Sequence, residues 1–259
     1  MSDSAQFLAY RTSESERART ADLLRIVPKD RRSVLDIGAR DGFFSALLRE
    51  HFDRVTALDL QMPRFQIEGI QKVQGDVTHL DFPDNAFDVV FCAEVLEHVP
   101  QLDQACHEIG RVAGHAAVIG VPYKQDIRFN RTTCRSCGRV SPGWGHVNSF
   151  DERKLERLFA PLKPVSTSFI GSNNERTNAL SVALMDFAGN PWGTYGQEEP
   201  CIHCGSRLAA AVERSFVQRV SSAAAYRLNA LQSKFVRPHA NWIHVVFQKS
   251  LLDGTPIIV

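Results

Sequence analysis

The sequence lacks the features that secreted, membrane-spanning or strongly basic proteins need. Its 259 residues contain no run of eighteen apolar residues, so a transmembrane helix is not predicted. Residues 1–20 are polar and charged, without the apolar stretch of a secretory signal. The formal net charge is only +1, which gives no overall attraction to nucleic acid or anionic lipid. We therefore expect a cytoplasmic protein without membrane or nucleic-acid partners.

Short β-branched runs alternate with helical stretches, a pattern typical of a parallel sheet covered by helices on both faces. We predict a doubly wound α/β fold with a mostly parallel, seven-stranded sheet. The runs are Ser33–Ile37, Arg54–Asp59, Ile70–Gln74, Phe87–Cys92, Ala116–Val121, Val165–Ile170 and Trp242–Gln248.

Turn-rich stretches interrupt this alternation after the fifth and sixth strands and divide the chain. A helical pattern over residues 5–27 includes Phe7 and Leu8, and an amphipathic helix is predicted from Leu208 through Val212 to Phe235. The expected units are an N-terminal helical segment (1–29), a core (30–122), a first insertion (123–149), a core helix and strand (150–172), a second insertion (173–240), a final strand (241–250) and a tail (251–259).

Acidic residues and glycine follow three successive strands. The first strand leads into the turn Gly38-Ala39-Arg40-Asp41-Gly42, where glycine lets the backbone approach a ligand. Asp59 ends the second strand, where a carboxylate can accept hydrogen bonds from both hydroxyls of a ribose. Asp76 follows the third strand and can accept one from an exocyclic amine. These positions predict a nucleotide site at one edge of the sheet.

The fourth strand and its flanks read DFPDNAFDVVFCAEVLEHV at residues 81–99. With the glycine turn, this segment resembles the class I methyltransferases that use S-adenosylmethionine (SAM), particularly their small-molecule, type 11-like group. The resemblance covers residues 30 to 122 and implies a Rossmann-like fold and methyl transfer from SAM. It implies that the methionine part is held by Asp36, Gly38, Ala39, Ala93 and Glu94, the ribose by Asp59 and Leu60, and the adenine by Asp76 and Val77.

Arg40 stands where that family usually has a second glycine. Its side chain can point to solvent, which we favour, or pair with the cofactor carboxylate. The full Gly-x-Gly-x-x-Gly fingerprint of a dinucleotide-binding dehydrogenase is also missing, which favours the methyltransferase interpretation. The departure at Arg40 keeps a non-catalytic SAM-fold binding module as an alternative.

Four of the six cysteines form two matched pairs, Cys134-Arg-Ser-Cys137-Gly and Cys201-Ile-His-Cys204-Gly. A two-residue spacer lets both thiolates reach one ion, so we predict a structural, tetrahedral zinc site. Unligated thiols or a redox pair are the alternatives. Both pairs follow strands that end at the ligand-binding edge of a doubly wound sheet, so zinc would join the two insertions into a cap over the acceptor site.

Methyl transfer from a sulfonium is an in-line displacement that needs a general base only for a weak nucleophile such as a hydroxyl. His146 and His98 are the candidate bases, with Glu94, Glu97 and Tyr123 also near the predicted site. We expect a small-molecule or glycan acceptor, with oxygen as the methylated atom. A nucleic-acid or protein methyltransferase is the alternative, because four arginines form a local basic strip: Arg128, Arg131, Arg135 and Arg139. The oligomeric state is left open.

Overall fold

The computed structural model describes residues 11–197, 199–210 and 213–249. The predicted tail (251–259), the last residue of the segment 241–250, and Phe7, Leu8 and Val212 lie outside these residues. Seven strands form the main sheet: β1 (Ser33–Ile37), β2 (Arg54–Asp59), β3 (Ile70–Gln74), β4 (Phe87–Ala93), β5 (Ala113–Pro122), β8 (Lys163–Ile170) and β9 (Trp242–Gln248). Two short strands, β6 (Thr132–Thr133) and β7 (Val140–Ser141), pair with each other in the first insertion.

The strand order of the main sheet is β3-β2-β1-β4-β5-β9-β8. Strands β1 to β5 pair in parallel, and β9 runs antiparallel between β5 and β8. The predicted doubly wound, mostly parallel sheet is therefore confirmed. The order reverses between β1 and β4, which is where such sheets open a crevice for ligands at the carboxyl ends of the strands.

Six helices within the described residues flank the sheet or belong to the insertions. Their starts follow capping chemistry: Ser13, Asp151, Asn178 and Ser215 each accept a backbone N–H of the first turn. A short 3₁₀ turn, Leu96–His98, follows β4. The helices are α1 (Glu14–Ile26), α2 (Phe43–Arg49), α3 (Leu102–Val112), α4 (Glu152–Leu158), α5 (Ala179–Phe187) and α6 (Phe216–Ser233).

The long helix of the second insertion is shorter than the sequence predicts. Instead of beginning near Leu208 it begins at Phe216, because Ser215 and Gln218 form a reciprocal capping box that ends the preceding extended chain. Leu208 packs instead against the buried cysteines of the insertions. Leu208 thus belongs to a small separate core and not to the helix.

Apolar side chains cover both faces of the sheet, as expected for strands buried on two sides. Leu35 and Ile37 pack on the face covered by α3 and α4, whereas Val34 packs on the face covered by α1 and α2. The side chains of β1 thereby alternate between the two faces of the sheet. In the described part of the chain, every helix is too short or too polar to cross a bilayer.

Candidate functional site

Strand register brings the predicted cofactor residues to one edge of the sheet. Ile37 pairs with Leu58, and Asp59 pairs with Gln74, so the residues after β1, β2 and β3 emerge side by side. Ile37 also pairs with Cys92, which places the end of β4 beside them. The carboxyl edge therefore unites Gly38, Asp59, Asp76 and Ala93.

The turn after β1 is held tightly and leaves no room for a side chain at Gly38. The amides of Gly38 and Ala39 both donate to the Leu58 carbonyl, at 2.8 and 3.1 Å. Gly38 has φ +79°, and an added Cβ would lie 2.3 Å from Cγ2 of Val95. Glycine is therefore required by both backbone conformation and packing.

Asp36 is buried directly behind this turn. Its Oδ2 accepts a hydrogen bond from Ser45 Oγ at 2.5 Å. Burial raises the pKa of Asp36 to about 7, although the Ser45 hydrogen bond lowers it, and the nearby charges of Asp41 and Asp59 raise it further. The electrostatic coupling of these three carboxylates makes the edge attractive to a cationic ligand.

Arg40 adopts a left-handed backbone conformation, with φ 40°. It is exposed, and its amide donates to Asp59 Oδ2 at 3.1 Å. The other oxygen of Asp59 accepts from the Gln61 amide at 3.3 Å. Each carboxylate oxygen can accept one more hydrogen bond, which matches the two hydroxyls of a ribose.

The residues expected around the adenine differ in exposure. Asp76 is exposed, and its Oδ1 accepts from the amide and hydroxyl of Thr78, both at 2.8 Å. Val77 is buried, whereas Leu60 is 67% exposed at the end of β2. Together they offer one apolar and one acidic contact beside an open surface.

The end of β4 is closed from one side by α1, the helix predicted within residues 5–27. Glu94 has φ 59°, and its Oε2 lies 2.8 Å from Nη2 of Arg19. Arg19 is fully buried, bonds to Glu16 and lies over the Trp242 ring, 4.6 Å from the centroid. The N-terminal helix therefore forms a wall of the site, next to Ala93.

His98 and His146, the two candidate bases, lie against each other. Their rings meet edge to face, with the ring centroids 4.8 Å apart. Glu97 completes the group, because one of its carboxyl oxygens and one nitrogen of each imidazole all lie within 4.8 Å of one another. Burial lowers the pKa of His98, and burial with the charge of His98 lowers the pKa of His146 to about 3. Both imidazoles are therefore neutral near pH 7.

Glu97 is fully buried in this group. Burial raises its pKa to about 8, and within the described residues neither carboxyl oxygen has a hydrogen-bond partner. Gln125 Oε1 accepts a hydrogen bond from His146 Nδ1 at 2.7 Å. Sequence reasoning missed Gln125 because it lies in an irregular loop. Tyr123, another candidate, donates instead to Glu152 at 2.7 Å.

The four paired cysteines converge at one point. Sγ of Cys134 lies 3.7 Å from that of Cys204, and Sγ of Cys137 lies 3.7 Å from that of Cys201. All four sulfurs fall within 4.8 Å of one another, and the thiols are free. Zinc–sulfur bonds of about 2.3 Å in a tetrahedron place sulfurs about 3.8 Å apart. The donor set therefore fits a zinc ion, whereas a disulfide needs about 2.05 Å.

The two insertions meet over the end of β4. The Trp144 amide donates to Thr194 Oγ1 at 3.0 Å, which joins the first insertion to the second. A Cβ on Gly145 would lie 3.0 Å from Glu199 and 3.4 Å from His98, so all three pack closely. The cysteine cluster and this contact together place a cap above the carboxyl edge.

A cavity of about 310 Å³ lies between the first insertion, α5 and α6. Its lining combines four asparagines with three aromatic rings, and it shares two arginines with a depression beside His146. Those arginines are paired: Arg128 with Asp126 at 2.9 Å, and Arg131 with Asp186 at 2.6 Å. Carboxylates thereby neutralise two of the four arginines in the predicted basic strip. The lining includes Asn130, Asn174, Asn190, Trp192, Tyr226 and Asn229.

The sheet order, the glycine turn and the acidic strand ends define the class of Rossmann-like SAM-dependent methyltransferases. Residues 35–118 match the sequence profile of the family described as "Methyltransferase domain". The chain therefore contains a methyltransferase domain of the SAM-dependent type.

Known proteins similar to this chain agree with that assignment. The malonyl-[acyl-carrier protein] O-methyltransferase of Serratia marcescens is 28% identical over 152 residues, which are 57% of this chain and 55% of that enzyme. The YcgJ protein of Bacillus subtilis shares the fold with a TM-score of 0.55, 12% identity and coverage of 92% and 100%. A Burkholderia thailandensis 1,6-didemethyltoxoflavin-N1-methyltransferase, solved with S-adenosylhomocysteine, has a TM-score of 0.51, 16% identity and coverage of 93% and 81%. This chain thus spans about half the length of the Serratia relative.

Proposed function

We propose that the protein transfers the methyl group of SAM to a small-molecule or glycan acceptor, at an oxygen atom. The observation that carries the proposal is the convergence of Gly38, Asp36 and Asp59 at the switch point of the sheet, beside Ala93 and Glu94. A tight glycine turn admits the methionine backbone, and the carboxylates attract the ammonium and ribose hydroxyl groups. Asp76 and Val77 take the adenine.

The chain's contribution to the reaction is alignment and exclusion of water. The acceptor nucleophile attacks the methyl carbon opposite the sulfonium sulfur, so its position decides the rate. The Arg19–Glu94 pair fixes the wall beside Ala93, and the cap carrying His146 is hydrogen-bonded to the turn after β4. His98 and His146, both held neutral by burial, are candidates to accept the acceptor proton.

The cavity beside the cap supports a polar, hydroxyl-rich acceptor. Asparagine amides and the Trp192 and Tyr226 rings are the groups that hydrogen-bond and stack on sugars. The Serratia relative is named as an O-methyltransferase, which agrees with an oxygen acceptor. Pairing of Arg128 and Arg131 with carboxylates weakens the case for a nucleic acid.

Zinc at Cys134, Cys137, Cys201 and Cys204 has a structural role in this proposal. Four thiolates complete a tetrahedron and leave no coordination position for substrate. The ion would join segments that the chain separates by 64 residues or more, with only a small core of Leu208 and Tyr195 beside the buried cysteines. We expect at least one zinc per chain by elemental analysis of the purified protein.

Calorimetric titration with SAM and S-adenosylhomocysteine tests the cofactor assignment. Asp59→Ala should weaken binding at least tenfold, because hydrogen bonds to a charged group contribute about 1.5–3 kcal/mol each. Asp53→Ala is the matched control: it lies just before the opposite end of the same strand, is exposed and pairs only with Arg32 among the described residues. Equal affinities of both variants and the wild type would reject the site.

Transfer itself is tested with methyl-labelled SAM. A panel of hydroxylated small molecules and glycans should include an acceptor that takes up label, with tRNA and a protein extract as the macromolecular arms. Label on a macromolecule alone would favour the alternative substrate class. SAM binding without transfer to any arm would favour the non-catalytic module.

A further inference from the structure

Glu97, His98 and His146 lie together, and the carboxyl oxygens of Glu97 lack hydrogen-bond partners among the described residues. Glu97 is completely buried, and both of its carboxyl oxygens lack a hydrogen-bond partner within the described ranges. A buried carboxyl without partners is costly, so such a group needs an explanation. One oxygen of this carboxyl lies within 4.8 Å of an imidazole nitrogen from each histidine.

Surrounding groups orient the two imidazoles. His146 Nδ1 lies 2.7 Å from Gln125 Oε1, an acceptor, so this nitrogen carries the proton and Nε2 carries the lone pair. His98 packs against Gly145, where an added Cβ would lie 3.4 Å from His98 Nδ1. A histidine that donates one N–H to a fixed acceptor and presents its other nitrogen is the arrangement that metal ligands adopt.

The backbone keeps these ligands together. The amides of Val147 and Asn148 donate to the Glu97 carbonyl at 2.8 and 3.2 Å. The Asn148 side chain donates to the carbonyls of Leu96 and Val99, at 2.9 and 2.7 Å. The first insertion is therefore fastened to the turn after β4, which sets His146 beside His98.

We propose that Glu97, His98 and His146 bind a divalent transition-metal ion, separate from the cysteine site. Two imidazoles and one carboxylate are a donor set for such ions, with bonds of about 2.0–2.2 Å, and they leave coordination positions open. The ion satisfies the buried carboxyl oxygens of Glu97. It sits between the end of β4 and the cap, where the acceptor must lie.

The role of this ion rests on the proposed function. An acceptor hydroxyl bound to the ion at an open coordination position would lose its proton to water more readily than a free hydroxyl does. Its oxygen then forms the new bond to the methyl carbon as the sulfur–methyl bond breaks, and the electron pair of that bond stays on sulfur. His98 and His146 are in this case ligands and not bases.

Manganese(II) titration of the full chain loaded with one equivalent of zinc, which the four thiolates take up, tests the site when followed by electron paramagnetic resonance. Mn²⁺ prefers nitrogen and oxygen donors to thiolates, so the cysteine site does not interfere. The wild type should bind one Mn²⁺ per chain. Glu97→Gln and His146→Asn should each weaken binding at least tenfold, and Gln125→Leu about tenfold through the lost orientation of His146.

His107→Asn is the matched control, because His107 is exposed on α3 and should leave Mn²⁺ binding unchanged. Circular dichroism and SAM affinity, measured on the same samples, show whether each variant is folded. His146→Asn guards against misfolding of the Glu97 variant, since His146 is only half-buried.

Absence of Mn²⁺ and Co²⁺ binding at nitrogen and oxygen donors in the wild type would overturn the metal proposal. Mn²⁺ binding that the Glu97→Gln and His146→Asn variants both retain would also overturn it. SAM binding in such a protein would leave the proposed function intact. Conversely, Mn²⁺ binding that depends on Glu97 in a chain that does not bind SAM would refute the methyltransferase and keep the metal site.

Discussion

His244 makes the stability of the fold depend on pH. It lies on β9, is fully buried, and donates from Nδ1 to Asp22 Oδ2 at 2.7 Å. Burial lowers the pKa of His244 to about 4, although the hydrogen bond to Asp22 raises it. Ser168 and Arg25 also bond to Asp22, and despite burial these contacts lower the pKa of Asp22. The imidazole is therefore neutral in the folded protein at pH 7.

The sign of the effect follows from the two states of His244. The unfolded chain takes up a proton near pH 6.5, whereas the folded chain resists protonation until about pH 4. Stability is therefore complete above pH 6.5 and is lost as the pH falls from 6.5 toward 4. With these values, the free energy of unfolding drops by about 2 kcal/mol between pH 7.5 and 5.0, and by about 3 kcal/mol in the limit.

Urea unfolding of the wild type and His244→Asn at pH 7.5 and 5.0 measures this contribution. Asparagine keeps a donor near the Nδ1 position but does not titrate. We expect the variant to be less stable than the wild type at pH 7.5. Its free energy of unfolding should fall by about 2 kcal/mol less than that of the wild type between pH 7.5 and 5.0. His107→Asn, on an exposed helix surface, should follow the wild type. Equal losses in wild type and His244→Asn would refute the reasoning.

Three further substitutions test other parts of the site. Gly38→Ala should destabilise the fold by about 2 kcal/mol in urea and weaken SAM binding, whereas Gly189→Ala, at similar φ but with open space, should cost only about 1 kcal/mol. Arg40→Gly should raise the melting temperature by about 2 °C, because glycine adopts the left-handed conformation of residue 40 without strain. This gain exceeds the cost of the extra conformational entropy that glycine gives the unfolded chain. A melting temperature below that of the wild type would contradict this. Cys201→Ser should release zinc and increase hydrogen exchange in both insertions but not in β1 to β5.

The sheet and the cofactor edge were predictable because local pattern dictates them. A strand buried on both faces must be a continuous apolar run, and its end must carry a turn that glycine permits. Strands β1, β2 and β9 accordingly have their predicted bounds, and so does the partly exposed edge strand β3. The cysteine spacing was equally informative, since two matched pairs have few alternatives to a shared ion.

The acceptor side was less predictable because it depends on chain segments that meet only in three dimensions. His146 was singled out as a base, but its contact with His98 arises from the hydrogen bonds that the amides of Val147 and Asn148 donate to the Glu97 carbonyl. The spacing of apolar residues also predicted a helix from Leu208, whereas the capping box at Ser215 decides where α6 begins. Periodicity alone cannot separate a helix from an extended segment that packs on another core.

The N-terminal helix shows how such distant contacts complete the site. Its residues Arg19 and Asp22 are buried, and they bind Glu94 after β4 and His244 on β9, respectively. Burying a charged pair costs free energy unless geometry and further hydrogen bonds compensate for it. Here the compensation comes from Glu16 and the face of Trp242 around Arg19. These polar contacts set the orientation of α1 more specifically than apolar packing would, and α1 therefore holds Glu94 beside the predicted methionine position.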